Sequence, residues 1–112
     1  MKQLEGKGLV LPAHLVELAY PLDDLGNLAW RYNDARNVLG YLKNMSKAII
    51  GGEAYTLSKD RIDWTWEFWE YEADPSLSVE ENAACGYETA VVYLDSFHRK
   101  FGDDYCFSII FM

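Results

Sequence analysis

The chain is 112 residues long, half of them hydrophobic and 15% aromatic, with a formal net charge of −8. That length suits one domain, 1–112, with its own core, and the composition excludes a disordered tail or linker. The negative charge argues against nucleic acid or anionic membrane as partner and favours a basic one. No apolar run approaches the ~20 residues of a membrane helix. No signal-peptide pattern opens the chain, so the cytoplasm is the expected compartment.

The elements follow in order. Residues 12–19 open with proline and predict a short helix with Leu15, Leu18 and Ala19 on its apolar face. Pro21 stops it, residues 23–27 predict a turn, and 28–32 look extended. Asn33 or Asp34 is the expected cap of a second helix over about 34–46, with Ala35, Val38, Leu39, Leu42 and Met45 at helical spacing. Ala48-Ile49-Ile50 reads as a brief buried strand, Gly51-Gly52 as a bend, and 53–57 as an alternating strand with Tyr55 and Leu57 on one face. Ser58–Arg61 suits a hairpin turn.

A long strand, 62–72, comes next. Alternation puts Ile62, Trp64, Trp66 and Phe68 on one face and Asp63, Thr65, Glu67, Trp69 and Tyr71 on the other. Ser78 with Glu81 three residues later predicts a capping box. The third helix should run to about Phe101 with Ala83, Tyr87, Ala90, Val91, Leu94, Phe97 and Phe101 inward. The last strand, 105–112, places Tyr105, Phe107, Ile109 and Phe111 on one face, with Ile110 and Met112 on a second, partly covered one. The predicted class is α+β: an antiparallel sheet of three to four strands with two or three helices packed mainly on one face. Leu39, Leu42, Tyr55, Trp64, Trp66, Leu94 and Phe107 are expected in one core.

No catalytic set emerges. Gly51-Gly52 lacks the lysine and hydroxyl of a phosphate loop. His14 and His98 stand alone, without a second ligand at metal spacing, and His98 is expected as a satisfied histidine near the core. Cys85 and Cys106 lack a metal or redox spacing and are expected as free thiols, in a fold that survives reduction. What stands out is the 60–88 segment, with nine acids against one base, Arg61, and three of the four tryptophans. Trp64, Trp66 and Phe68 share the aliphatic face of Ile62 and are assigned to the core. Trp69 and Tyr71 fall among carboxylates, where Trp69 either anchors an interface or packs beneath a loop.

One ordered string is recognisable: Trp30, then Ile49-Ile50-Gly51-Gly52-Glu53-Ala54-Tyr55, Trp69, Tyr87, Tyr93 and Ile109-Ile110-Phe111. Over about residues 28–112 the chain resembles the immunity protein 40 family of bacterial polymorphic-toxin systems. The resemblance implies a non-enzymatic protein that binds a cognate toxin domain and neutralises it, and the residues themselves lead to the expectation of no cofactor and no metal. Joined to the charge pattern, it makes Glu53, Asp63, Glu67, Trp69, Tyr71, Glu72 and Asp74 the expected partner-binding residues, facing a basic toxin surface. A small-ligand or regulatory module with an aromatic pocket is the alternative, and a carboxylate hydrolase the third. A pocket among Trp64, Trp66 and Trp69 would favour these two. The oligomeric state is left open.

Overall fold

A computed structural model describes residues 11–23, 26–59 and 61–112. The reading of the first ten residues, and parts of the turns expected at 23–27 and 58–61, lie outside the described residues. The others form helices α1 (Ala13–Glu17), α2 (Tyr32–Asn44) and α3 (Val79–Phe101). They form strands β1 (Tyr20–Pro21), β2 (Leu28–Arg31), β3 (Ile49–Ser58), β4 (Arg61–Glu70), β5 (Tyr105–Ser108) and β6 (Ile110–Phe111). All pairings are antiparallel, in the order β1-β2-β5-β3-β4, with β6 also on β3. The class is α+β, as the alternation and helical spacings imply.

The sheet has six strands rather than three or four. The additions are short. β1 holds Pro21, which a sheet tolerates at its edge. The last strand breaks at Ile109, so its second half pairs with β3 as β6. Conversely, Gly51 and Gly52 do not bend the chain. They lie inside one continuous ten-residue strand, β3.

The helices cover one face. Leu11, Leu15, Trp30, Val38, Leu39, Leu42, Ile49, Ala54, Leu94, Phe97, Phe107 and Phe111 form the main core with Trp69. Tyr105 and Ile109 pack against it, so the expected inner face of the last strand holds. α1 is pinned by the Trp30 indole, whose Nε1 donates to the Leu15 carbonyl at 2.8 Å. α2 begins at Tyr32, before either of its expected caps, Asn33 and Asp34. Arg31 occupies the cap position without a side-chain bond that caps the helix, and Asp34 lies in the first turn, where a negative charge suits the helix dipole. α3 has the expected reciprocal box: Ser78 Oγ accepts from the Glu81 N–H, and Glu81 accepts from the Ser78 N–H. Across α2 and α3, Asp95 accepts from Tyr32 Oη at 2.6 Å and from Arg36 at 2.7 Å. His98 stacks flat on Tyr32 and pairs with Asp103. Leu18, Met45 and Phe101 are exposed, contrary to their expected apolar faces, because each sits at or past the end of its helix, and Ile110 and Met112, expected on a second, partly covered face, are exposed too.

On the outer face a smaller cluster forms around Ala29, Leu57 and Cys106, with Tyr20, Leu22, Tyr55 and Ile62 packed on it. Tyr55 thus belongs to this cluster and not to the main core. Both cysteines are free, Cys85 exposed and Cys106 buried.

Candidate functional site

β4 is where expectation and structure part. Its aromatics divide by face as alternation implies, but the faces are exchanged. Trp64 is 40% exposed, Trp66 74% and Phe68 54%, whereas Trp69 is 6% exposed. The register explains the sides. Tyr55 pairs with both Cys106 and Trp64, and Glu53 with Phe68, so Trp64 and Phe68 share the outer face with Cys106. Trp69 pairs with Gly52, next along the helix side to Ala54 of the main core.

The physical reason is position in the sheet. β4 is the last strand, and α3 packs over β3 rather than over β4. The apolar row of β4 therefore has no helix to meet, and only the end of the strand reaches beneath α3. There Gly52 leaves the room: a Cβ on it would lie 2.3 Å from the Trp69 ring and 2.2 Å from the Ser108 carbonyl oxygen. Trp69 fills that space and stacks on Tyr93 with ring centroids 4.9 Å apart. Neither the Trp69 Nε1 nor the Tyr93 Oη has a hydrogen-bond partner among the described residues.

A bulge holds the exposed pair. Between Tyr55↔Trp64 and Glu53↔Phe68, the three residues Thr65, Trp66 and Glu67 oppose Ala54 alone. Trp66 takes a left-handed φ of 70° inside it. Thr65 Oγ1 donates to the Ala54 carbonyl at 2.8 Å and accepts from the Glu67 N–H at 3.1 Å, restoring bonds the ladder loses there. The bulge swings Trp66 against Trp64, with ring centroids 4.1 Å apart.

The edge itself can be mapped. Antiparallel pairs alternate between those that exchange main-chain hydrogen bonds and those that do not. The Leu57 N–H donates to the Asp104 carbonyl at 2.9 Å, away from β4. Leu57/Ile62 is thus a non-bonded pair, and so is Tyr55/Trp64 two residues on. Past the bulge, the Tyr71 N–H donates to Ile50 and the Glu53 N–H turns away to Ser108 Oγ. The main-chain groups of Ile62, Trp64, Phe68 and Glu70 consequently face outward, with no strand beside them among the described residues.

A family model described as Immunity protein 40 matches residues 17–111. The chain belongs to the immunity protein 40 family. No curated protein and no solved structure matches it. In this immunity protein, the string Ile49–Tyr55 is the first seven residues of β3, and Trp69, Tyr93 and Phe111 belong to the main core or pack on it. That part of the resemblance is therefore carried by packing.

The expected partner-binding residues scatter around β4. Asp63, Glu67 and Glu72 are exposed, and Asp63 pairs with Arg61 at 2.8 Å. Glu53 is half-buried on the outer face, its carboxylate accepting from Tyr55 Oη at 2.7 Å. Burial, then Glu53, pushes that phenol up to about 12. Asp74 is exposed and accepts from the Ser76 N–H and Oγ, which lower its pKa. Trp69 is no exposed anchor, since it lies in the core. Tyr71 lies against Gly86 of α3, with its Oη donating to Asn82 Oδ1 at 2.7 Å. The same Asn82 Oδ1 accepts from the Asp74 N–H, and its Nδ2 donates to the Asp74 and Ser78 carbonyls, so one side chain fastens the whole β4–α3 connection.

The sequence reading missed Trp64, Trp66 and Phe68 as surface residues. The signal was an apolar row with carboxylates on the opposite face of the same strand, which suits an edge strand open on both sides. Trp64 and Trp69 lie on opposite faces of the sheet, so among the described residues the three tryptophans do not line one pocket. A hollow of about 490 Å³ lies farther across the outer face, lined by Asp23, Asn27, Glu53, Tyr55 and Ser108 among others. Among the described residues, no cluster of three or more His, Cys, Asp or Glu could hold a metal, and no helix is long and apolar enough to cross a membrane.

Proposed function

We propose that this chain is a non-enzymatic immunity protein, acting in the cytoplasm of the toxin-producing cell, that binds and neutralises a cognate toxin domain through β4. Membership of the immunity protein 40 family supports the general role. The observation that supports the location is the side-by-side exposure of Trp64, Trp66 and Phe68 on a strand that also carries Asp63 and Glu67. Large exposed aromatics are the residues that anchor protein interfaces once desolvated. The carboxylates would speed encounter with a basic toxin surface and reject acidic ones. Glu53, Glu72 and Asp74 extend the charge on either side. Trp69 and Tyr71 contribute by fixing the strand beneath.

The test is co-expression with the toxin domain encoded beside this chain, followed by binding kinetics of the purified pair at two salt concentrations. Trp66→Ala combined with Phe68→Ala should abolish protection, mainly by faster dissociation. Glu67→Lys combined with Glu72→Lys should slow association and flatten its salt dependence, most clearly in dilute buffer, where screening extends beyond ~8 Å. Full protection and unaltered rates in both folded double variants would place the toxin elsewhere.

A further inference from the structure

Resting on that reading, we propose that the toxin is held in part by strand addition: an extended, basic segment of the toxin pairs with the open edge of β4. Three features of β4 meet here. Its outward main-chain groups at Ile62, Trp64, Phe68 and Glu70 offer the donors and acceptors that a further strand requires, as derived above from the bonds of Leu57, Glu53 and Tyr71. Its two side-chain rows differ, with Trp64, Phe68 and Glu70 on the outer face and Asp63, paired with Arg61, on the other. A partner lying on one face would touch one row only. A strand laid along the edge reaches both, setting apolar side chains beside Trp64 and Phe68 and basic ones beside Glu70 and Asp63.

Charge selects the occupant. Among the described residues Glu67, Glu70 and Glu72 make no ion pair, and Arg61 is the one base of the 60–88 segment. A second copy of this chain would bring the same carboxylates against them, at a net charge of −8 per chain. The bulge at Thr65–Glu67 divides the edge into two short pairing sites, Ile62–Trp64 and Phe68–Glu70, which further disfavours indiscriminate edge-to-edge contact.

Proline provides the test, because it removes one main-chain N–H and is tolerated where that N–H faces away from the sheet. Ile62→Pro and Glu70→Pro should fold as Ile62→Ala and Glu70→Ala do, with the same urea midpoints. Each should bind the toxin domain encoded beside this chain about tenfold more weakly than its alanine counterpart. Amide hydrogen exchange in the wild-type pair should show new protection at Ile62 and Trp64. Equal affinity of proline and alanine variants, without that protection, overturns strand addition and leaves toxin binding through the exposed faces intact. Failure of the wild-type protein to bind this domain overturns both. A free protein that is dimeric, with Ile62 and Trp64 already protected, assigns the edge to a second copy and overturns the proposal.

Discussion

The Trp69 indole stacks on the Tyr93 ring under α3, three residues along β4 from Trp66, which faces solvent. The two sites call for opposite responses to the same substitution. Trp69→Ala should cost ~3–5 kcal/mol, because it empties a packed space that Gly52 and Tyr93 cannot collapse to fill. Trp66→Ala should stay within about 0.5–1 kcal/mol of wild type. Urea unfolding of both variants checks this, and a larger loss at Trp66 would reverse the assignment of faces.

Gly52 and Gly40 form a second pair of opposites. A Cβ on Gly52 meets backbone and ring atoms at 2.2–2.3 Å, so Gly52→Ala should destabilise strongly or prevent folding. At Gly40, inside α2, a Cβ meets nothing within 4 Å. Gly40→Ala should add about 0.5–1 kcal/mol through helix propensity alone. Thermal melts of the two proteins decide the matter.

Trp66 also holds a backbone that its side chain disfavours. A left-handed φ costs an L-residue about 1–2 kcal/mol, and glycine is free of that cost. Trp66→Gly should therefore be more stable than Trp66→Ala by roughly 1 kcal/mol while losing toxin binding to the same degree. Calorimetry of the two variants is the measurement, and a more stable alanine variant would mean that the bulge has another geometry in solution.

Alkaline pH should unfold the protein progressively. Burial pushes the Cys106 thiol up to about 11 and, with Glu67, the Tyr93 phenol up to about 12. The unfolded chain releases these protons first, near the ordinary values of 9.0 and 10.0. It binds fewer protons than the native state, so stability is full below about pH 9 and falls as pH rises towards 12. Tyr93→Phe should flatten that fall and cost nothing at pH 7, since it removes a buried hydroxyl that has no partner among the described residues. Urea midpoints between pH 7 and 11 supply the curve. An unchanged slope in Tyr93→Phe would assign the loss to other groups.

The sequence carried its helices well because their signals are local. The Ser78/Glu81 box and the spacing of Ala35, Val38, Leu39 and Leu42 survive almost unchanged. Strand parity was equally legible: Ile62, Trp64 and Phe68 do share a face. Which face meets the helices was not, because it depends on where β4 lies in the sheet, and strand order leaves no trace in a two-residue alternation. Assigning the more apolar row to the core is sound for a central strand and fails at an edge. The short strand β1 was hidden for a related reason, since two residues carry no period, and the break at Ile109 that separates β6 from β5 leaves no mark in the alternation.

Under the toxin binding proposed above, Asn82 has a bearing on the speed and tightness of capture. By accepting from Tyr71 and the Asp74 main chain and donating to Asp74 and Ser78, it immobilises the connection that carries Glu72 and Asp74 before any partner arrives. Ordering such a loop on contact would subtract conformational entropy from the free energy of association. Here that ordering is completed during folding, and the loop's charges meet an incoming surface already in place.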